Sequence, residues 1–276
     1  MKIIADTATL FAPSEGAEQG MTVIPVCVSI NDKTYKDYSE ISSEQFLQLI
    51  EAGGIPTSSQ PALGDMLDVF ESSDEEMLVL TVGDGLSGGY QTAMGARNCV
   101  ENSERIHVIN SKTLAGPMRY LAKKAVALKD RGLTIEKIKE ELSRSIESSV
   151  SFVVPEDFEF LKRSGRLTTI TAKVGGVLKL LPVLTQTEDK TRIKPVAIKR
   201  TWQTAIDTII QRLQHLGVNH EYLISVSHAG THQKAVAVLN QIKRVFSTSE
   251  TEILMLSPAL ITHGGPGCIV VQAIRK

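Results

Sequence analysis

Short apolar runs alternate with amphipathic stretches through the first half of this 276-residue chain. The apolar runs lie at Lys2 to Ala5, Val23 to Ile30, Met77 to Val82 and Arg105 to Asn110. Continuous apolar runs of this length are typical of parallel strands that are buried on both faces, and amphipathic stretches are typical of the helices that cover such a sheet. The first half is therefore predicted to have a doubly wound α/β fold.

Helix-start signals support this layout. Ser42 and Gln45 have the spacing of a capping box, and the apolar stripe that follows them ends at Gly53 and Gly54. The same patterning predicts further helices at Gly64 to Glu71, Gly89 to Val100, Pro117 to Arg131 and Thr134 to Ser148.

The pattern changes near Ser151, after which strand-like and helix-like segments no longer alternate regularly. Strands are predicted at Phe152 to Pro155, Arg192 to Lys199, Tyr222 to Val226, Glu252 to Leu256 and Cys268 to Ile274. Helices are predicted at Phe158 to Lys162, Trp202 to Leu216 and Gln233 to Phe246. We therefore predict two domains: an N-terminal α/β domain over residues 1–150 and a C-terminal α+β domain over residues 151–276.

Composition excludes several classes of protein. With 42% hydrophobic and 22% charged residues the chain is unlike disordered sequences, and its net charge of -1 offers no overall attraction to nucleic acid. Cys27, Cys99 and Cys268 are widely spaced, and His228 and His232 have no third ligand nearby in sequence, so neither a disulfide framework nor a metal site is expected. We expect no signal peptide, no membrane-spanning segment and a cytoplasmic location.

The segment G-L-S-G-G at residues 85–89 has the G-x-S-x-G form of a nucleophile elbow and lies between a predicted strand and a predicted helix. Three interpretations of Ser87 remain open: a catalytic nucleophile, a hydroxyl that binds an anionic ligand, or a helix N-cap. The nucleophile hypothesis describes a serine hydrolase or acyl-transfer enzyme that has His263 as the base. No acidic residue with an evident supporting context completes a triad.

Three other segments carry candidate polar groups. Hydroxyls at residues 57–59 lie between Pro56 and Pro61, where they either bind a ligand or cap the next helix. His263 begins a glycine-rich turn and either contacts an oxyanion or makes a structural hydrogen bond. Arg166 ends a basic turn and either supports a polar site or faces water, and Asp6 either lines the same sheet edge or caps a turn.

Taken in order, these segments resemble the DegV family, which includes the fatty-acid-binding subunits of bacterial fatty acid kinase. The matching segments are D-T-A-T-L at residues 6–10, V-I-P-V at 23–26, S-S-Q-P at 58–61, L-S-G-G-Y-Q-T-A at 86–93, V-I-N-S at 108–111, F-L-K-R-S-G-R at 160–166 and H-G-G-P-G at 263–267. Each motif is weak alone, but together they run in order along nearly the whole chain.

The resemblance implies two α/β domains with a long-chain fatty acid between them and no cofactor. It implies that Ser58 and Ser87 bind the carboxylate, that His263 and Arg166 belong to the surrounding polar network, and that Thr57 replaces Ser58 if the loop shifts by one residue. It also implies a carrier rather than an enzyme, with a separate ATP-dependent kinase as its partner. A family member that binds another amphiphile and meets no kinase is a further hypothesis.

Departures from the family pattern concern the head-group site. Gly89 and Asn110 stand where the family has Thr and Asp, and Asp84 lies in a G-D-G segment in place of the usual I-S-S. A carboxylate at Asp84 would repel a bound carboxylate unless it points to solvent or is protonated.

The acyl chain should supply most of the affinity, because burial of about 15 methylenes at about 0.8 kcal/mol each exceeds what two hydroxyls contribute at about 1 kcal/mol apiece. The apolar run from Val174 to Leu184 is either a wall of the acyl-chain tunnel or ordinary core.

Overall fold

A computed structural model describes residues 1–168 and 180–276. In these residues the strands, in chain order, are β1 (Lys2–Asp6), β2 (Thr22–Ile24), β3 (Cys27–Ile30), β4 (Lys33–Lys36), β5 (Thr57–Ser59), β6 (Met77–Thr81), β7 (Ile106–Asn110), β8 (Val150–Val154), β9 (Leu181–Gln186), β10 (Ile193–Lys199), β11 (Tyr222–His228), β12 (Glu250–Met255) and β13 (Ile269–Arg275). The helices are α1 (Pro13–Glu18), α2 (Ser43–Glu51), α3 (Leu63–Glu71), α4 (Gly89–Cys99), α5 (Ala115–Asp130), α6 (Ile135–Ser148), α7 (Phe158–Arg163), α8 (Trp202–His215), α9 (His232–Lys243) and α10 (Pro258–Gly264).

The N-terminal sheet is parallel, with the strand order β2-β1-β6-β7. Ile3 and Leu78 face an apolar cluster that includes side chains of α5 and α6. Ile4 and Val79 face the opposite side, where side chains of α3 and α4 pack against them. Burial on both faces explains why these strands are continuous apolar runs in the sequence, and it confirms the predicted α/β layout.

The prediction of a single strand from Val23 to Ile30 is wrong, because β2 and β3 belong to different sheets. Pro25 lies between them and has no backbone N–H to donate to a ladder. The next residue, Val26, donates its N–H to the Thr7 hydroxyl and accepts a hydrogen bond from the Asp37 N–H. The chain therefore leaves the parallel sheet at Pro25.

A second, three-stranded antiparallel sheet has the order β4-β3-β5 and was not predicted. Its edge strand β5 comes from the segment between Pro56 and Pro61, where the sequence predicted only a loop. In the β3–β5 pairing, Ser58 lies opposite Val28. The strand therefore fixes the direction of the Ser58 side chain.

The C-terminal sheet is mixed and has the order β10-β9-β8-β13-β11-β12. One of its faces packs against α8 and α9, while the other face presents residues such as Val270 to the N-terminal half. This arrangement confirms the predicted α+β architecture, although β9 and α10 were missed. The division of the chain into domains at residues 150 and 151 stays a prediction.

Part of the predicted tunnel wall, residues 174–179, lies outside the described residues. The remainder of that run contributes Val183 and Leu184, which are buried in β9. Within residues 1–168 and 180–276, no helix combines the length and apolar character needed to cross a bilayer.

Candidate functional site

The topology of the parallel sheet indicates where a ligand should bind. From β1 the chain moves outward to β2, whereas from β6 it moves outward in the other direction to β7. Neighbouring strands whose connections leave in opposite directions form a crevice beyond their carboxyl ends, and ligands of open α/β sheets bind in such crevices. Here the crevice lies between the turn at Thr7–Thr9 and the turn at residues 83–87.

A cavity with a volume of about 120 Å³ lies at this place. Both halves of the chain contribute to its lining. The polar lining residues are Ser58, Ser59, Gln60, Ser87, Ser164, Arg166 and His263. The apolar side chains in the lining include Val26, Val82, Leu86, Leu114, Val153, Leu161, Ile193, Leu256, Leu260 and Val270. The cavity therefore combines a group of hydrogen-bonding residues with an extensive apolar wall.

Ser58 and His263 are in direct contact, with 2.9 Å between Ser58 Oγ and His263 Nε2. The sequence predicted a glycine-rich turn at His263, but the residue lies in the last turn of α10, which begins at Pro258 and is capped by the Ser257 hydroxyl. Burial, together with the positive charge of Arg166, lowers the pKa of His263 to about 4. At neutral pH its imidazole is therefore uncharged, with one nitrogen able to donate and the other able to accept.

The Ser87 turn follows β6 directly. The N–H groups of Leu86 and Ser87 both donate to the Gly83 carbonyl, and Gly85 has a φ of +86°, which favours glycine. Ser87 Oγ accepts a hydrogen bond of 3.2 Å from the N–H of Gly89, the first residue of α4. Capping and ligand binding are therefore compatible, because the hydroxyl that accepts this bond keeps its own proton to donate.

A base for Ser87 is required by the hydrolase hypothesis, which assigns that role to His263. The imidazole of His263 is instead bonded to Ser58. In the described part of the chain, the only hydrogen-bond partner of Ser87 Oγ is the Gly89 N–H. A nucleophilic serine needs a base within hydrogen-bonding reach, and the described residues form no hydrogen bond between Ser87 Oγ and a base.

Arg166 connects the two sides of the cavity. Its Nε donates to the Leu86 carbonyl at 3.1 Å, and its Nη1 donates to the Ser164 carbonyl. Burial lowers the pKa of Arg166, and the positive charge of Arg192 lowers it further. The guanidinium thus holds the backbone of the Ser87 turn and adds a positive charge to the cavity wall.

The Asp84 carboxylate points away from the cavity. Its Oδ2 accepts a hydrogen bond from Gln91 at 2.9 Å, and its Oδ1 accepts one from the Gly85 N–H. Asn110 Oδ1 accepts hydrogen bonds from the N–H groups of Asp84 and Lys112, so it orders the loops beyond β6 and β7. At Gly89, a Cβ atom would lie 3.5 Å from Ser87 Oγ, which is an ordinary contact.

Thr57 lies outside the cavity. In β5, Thr57 is exposed and does not line the cavity, whereas Ser58 is partly buried and lines it. Asp6 caps the turn after β1 through a 2.8 Å hydrogen bond from the Ala8 N–H. Of the three cations of the basic turn, Lys162 is exposed and Arg163 stacks on the Phe160 ring, whereas Arg166 lines the cavity.

Sequence reasoning missed Asp37, which is completely buried behind the cavity wall and accepts a 2.9 Å hydrogen bond from the Thr7 hydroxyl. No sequence signal marks it, since it lies in a polar stretch typical of a surface loop. The rings of His228 and His232 lie 5.4 Å apart, and within residues 1–168 and 180–276 no three metal-binding side chains are grouped together.

Comparison with known sequences places the whole chain in one family. Residues 1–276 match the family model described as "Uncharacterised protein, DegV family". The DegV domain-containing protein YteA of Lactococcus lactis is 28% identical, and the match covers 100% of this chain and 98% of the relative. A DegV domain-containing protein of Clostridium acetobutylicum is 27% identical, with coverage of 98% and 95%.

Solved structures show the same fold. The structure described as fatty acid binding of a DegV family protein from Thermus thermophilus has a TM-score of 0.88 and 23% identity, covering 100% of this chain and 99% of that one. A stearic acid-binding protein from Eubacterium ventriosum has a TM-score of 0.88 and 21% identity, with coverage of 100% and 98%. From its sequence over its whole length, the chain belongs to the DegV family.

Proposed function

We propose that this protein binds a long-chain fatty acid in the cavity, with the carboxylate held by Ser58 and Ser87. The observation that carries the proposal is the composition of the cavity, in which two serine hydroxyls, a neutral histidine and an arginine share one apolar enclosure. DegV family relatives described with vaccenic acid, stearic acid and heptadecanoic acid support the ligand class.

The head-group chemistry suits a carboxylate. The Ser87 hydroxyl has a proton to donate, and the Ser58 hydroxyl has one in the tautomer in which His263 Nε2 donates to Ser58 Oγ. A carboxylate is an acceptor with two oxygens. Arg166 provides the positive charge that offsets the ligand's negative charge. Thr57 takes no part in this arrangement, because it is exposed and does not line the cavity. Burial of about 15 methylenes at about 0.8 kcal/mol each would then supply most of the affinity.

The protein's role is that of a cytoplasmic carrier without a cofactor, which presents the carboxylate to a separate ATP-dependent kinase. In that reaction a carboxylate oxygen attacks the γ-phosphorus of ATP. The new C–O–P linkage forms as the bond from the γ-phosphorus to the bridging oxygen breaks, and ADP leaves with the electron pair. The chain contains no G-x-x-x-x-G-K-[ST] segment, so ATP would be bound by the partner.

Native mass spectrometry, followed by denaturation and lipid extraction, tests the ligand class. We expect a non-covalent adduct that is released as a free fatty acid, and we expect the delipidated protein to rebind octadecanoate. Ser87→Ala should weaken rebinding by at least about tenfold, since a hydrogen bond to a charged group contributes about 1.5–3 kcal/mol. Ser39→Ala, at an exposed serine, is the matched control. A bare polypeptide mass together with failure to bind octadecanoate would contradict the proposal.

A fluorophosphonate probe separates the carrier from the serine hydrolase. We expect no covalent labelling of the folded protein. Labelling that disappears in Ser87→Ala would support the hydrolase.

The kinase role is tested separately with a purified bacterial fatty acid kinase, ATP and the loaded protein. Ser87→Ala should abolish acyl phosphate formation, while Ser39→Ala should not affect it. Normal turnover by the Ser87 variant would rule out its role in presenting the carboxylate.

A further inference from the structure

Two aspartates are buried beside the turn at Thr7–Thr9, behind the wall of the cavity. Asp6 is 3% exposed and Asp37 is completely buried. Among the residues that the structure describes, neither carboxyl group forms an ion pair, and Asp37 Oδ1 has no hydrogen-bond partner. The described part of the fold therefore buries two carboxyl groups without a paired positive charge.

Asp37 lies directly behind three residues that line the cavity. Its Oδ2 accepts a hydrogen bond from the hydroxyl of Thr7, which precedes the lining residue Ala8. Its N–H donates to the carbonyl of the lining residue Val26 at 2.8 Å. The nearby N–H of Ala259, a lining residue on α10, lowers the pKa of the Asp37 carboxyl. Both halves of the chain thus meet at this carboxyl group.

Asp6 lies next to the Ser87 turn. The N–H of Gly89 donates to Ser87 Oγ, and a Cβ atom at Gly89 would lie 3.5 Å from that oxygen and 3.8 Å from Asp6 Oδ2. On the other side, Asp6 Oδ1 accepts a hydrogen bond of 2.8 Å from the Ala8 N–H. Asp6 is therefore situated between the two turns that bound the crevice.

Other charged or titratable groups occur on the elements around the two aspartates. They are Glu15 on α1, Cys27 on β3, Lys36 on β4, Tyr38 after β4, Arg119 on α5, Arg166 after α7 and His263 on α10. Lys36 pairs with Asp65 at 2.8 Å, and Arg119 donates to the Leu10 carbonyl at 2.5 Å, so both cations are bound elsewhere.

The aspartates titrate near neutral pH, unlike several of these neighbours. Burial raises the pKa of Asp6 to about 6 and that of Asp37 to about 7, and the negative charge of Asp6 contributes to the rise at Asp37. The pKa of His263 is about 4, whereas burial raises the pKa of the Cys27 thiol and of the Tyr38 phenol. Between pH 6.5 and 8.5, His263 is therefore uncharged while the aspartates lose protons.

A bound carboxylate would place a further negative charge on the other side of the same wall. Like charges in a buried environment favour protonation, because one bound proton removes the repulsion between them. Coupling between two binding events is reciprocal, so a ligand that favours protonation binds more tightly to the protonated protein.

We propose that Asp6 and Asp37 form a buried acid pair that takes up a proton from solvent when a carboxylate ligand enters the cavity, so that fatty acid is held more tightly when the pair is protonated. This linkage rests on the proposed function, because it requires the ligand's charge beside Ser58 and Ser87. Its consequence is that a rise in pH favours release of the fatty acid.

Titration calorimetry of the delipidated protein with octadecanoate, in phosphate and in Tris buffer at pH 7.5, measures the protons taken up on binding. We expect uptake of up to about one proton, and an affinity about fivefold weaker at pH 8.5 than at pH 6.5. Octadecane-1-sulfonate, whose head group stays ionised at these pH values, should cause uptake as well. Uptake with octadecanoate alone would place the proton on the ligand and overturn the acid pair.

Substitutions locate the proton. Asp37→Asn and Asp6→Asn each keep an oxygen that can accept the existing hydrogen bond but cannot ionise. We expect Asp37→Asn to reduce the pH dependence of octadecanoate affinity to less than about twofold, and Asp6→Asn to reduce proton uptake. Asp68→Asn, at an exposed aspartate of α3, is the matched control and should retain both the uptake and the pH dependence.

The outcomes separate this linkage from the proposed function. Octadecanoate binding without proton uptake and with equal affinity at the two pH values would overturn the acid pair and leave fatty acid binding intact. Unchanged uptake in both Asn variants would also overturn it. Failure of the unaltered protein to bind octadecanoate at either pH would contradict the proposed function, and the linkage with it.

Discussion

At the scale of single residues, Asp37 is a carboxyl group that the fold buries completely. Its Oδ2 accepts a hydrogen bond from the Thr7 hydroxyl, while Oδ1 has no hydrogen-bond partner in the part of the chain that the structure describes. Burial raises the pKa of Asp37 to about 7. A raised pKa means that the folded state holds the proton more tightly than the unfolded state does. The resulting stabilisation is full below the ordinary carboxyl pKa and is lost as the pH rises through about 7.

Replacement of this carboxyl group should therefore have an effect that depends on pH. Asp37→Asn removes the cost of a buried negative charge, so we expect the variant to unfold at a higher temperature than the unaltered protein at pH 8 and to differ little at pH 5. Thermal denaturation at both pH values measures this difference. Asp32→Asn, at an exposed aspartate, is the control and should show no such dependence. Equal destabilisation at both pH values would contradict the assignment.

At the scale of elements, the hairpin formed by β9 and β10 joins the C-terminal sheet to the N-terminal half at two points. Thr191, in the loop between the strands, packs against Gly85 of the Ser87 turn. Lys190, in the same loop, donates from Nζ to the carbonyls of Ile146 and Ser149 at 2.8 and 2.9 Å. These carbonyls lie in the last turn of α6 and at its C-cap, where a positive charge is favourable. The hairpin thus contacts both the Ser87 turn and the end of a helix.

Gly85→Ala should disturb the contact between the hairpin and the Ser87 turn. The new Cβ would lie 2.8 Å from the Thr191 carbonyl oxygen, and the φ of +86° is strained for alanine. We expect a loss of about 1–3 kcal/mol in the free energy of unfolding, measured by urea titration, and weaker octadecanoate binding. Gly95→Ala, which meets no atom within 4 Å on helix α4, should instead stabilise the protein by about 0.5–1 kcal/mol. Equal changes in the free energy of unfolding for the two variants would show that neither the Thr191 contact nor the positive φ restricts residue 85 to glycine.

Lys190→Met should loosen the end of α6. The change removes a charged donor from backbone carbonyls and from the Ser149 hydroxyl, so we expect the free energy of unfolding to fall by about 1–2 kcal/mol. Urea denaturation measures the loss, and Lys123→Met at an exposed lysine of α5 is the control. A loss no larger than that of the control would show that Lys190 does not stabilise the end of α6.

The sequence predicted most elements because their apolar periodicity is local. It predicted Ser58, Ser87, Arg166 and His263 as site residues through ordered motifs, and all four line the cavity, although Ser58 and His263 are 205 positions apart in sequence. It could not reveal the hydrogen bond from Arg192 to the Gly165 carbonyl, because no local pattern indicates that these two residues are neighbours. It also missed strand β5, since strand pairing with β3 overrides the loop preference of a segment bounded by prolines.

At the scale of the whole molecule, the cavity is formed by both halves of the chain, so a ligand inside it should stabilise them together. A ligand that binds only the folded state adds about 2.7 kcal/mol to the free energy of unfolding at a concentration 100 times its Kd. We expect octadecanoate to raise the unfolding temperature of the delipidated protein in one cooperative transition. Calorimetry measures the shift, and Ser87→Ala should reduce it. A second transition that octadecanoate leaves unmoved would show that the halves unfold independently.

The long separation between Ser58 and His263 has a consequence for biosynthesis. At about 5–20 residues per second, a ribosome needs about 10–40 seconds to add the 205 positions that separate them. During that interval the nascent chain displays Ser58 and then Ser87 without the helix that carries His263. A half-made polypeptide therefore lacks the contact between Ser58 and His263, and under the proposed function a fatty acid would meet the complete set of polar groups only after residue 263 has been added.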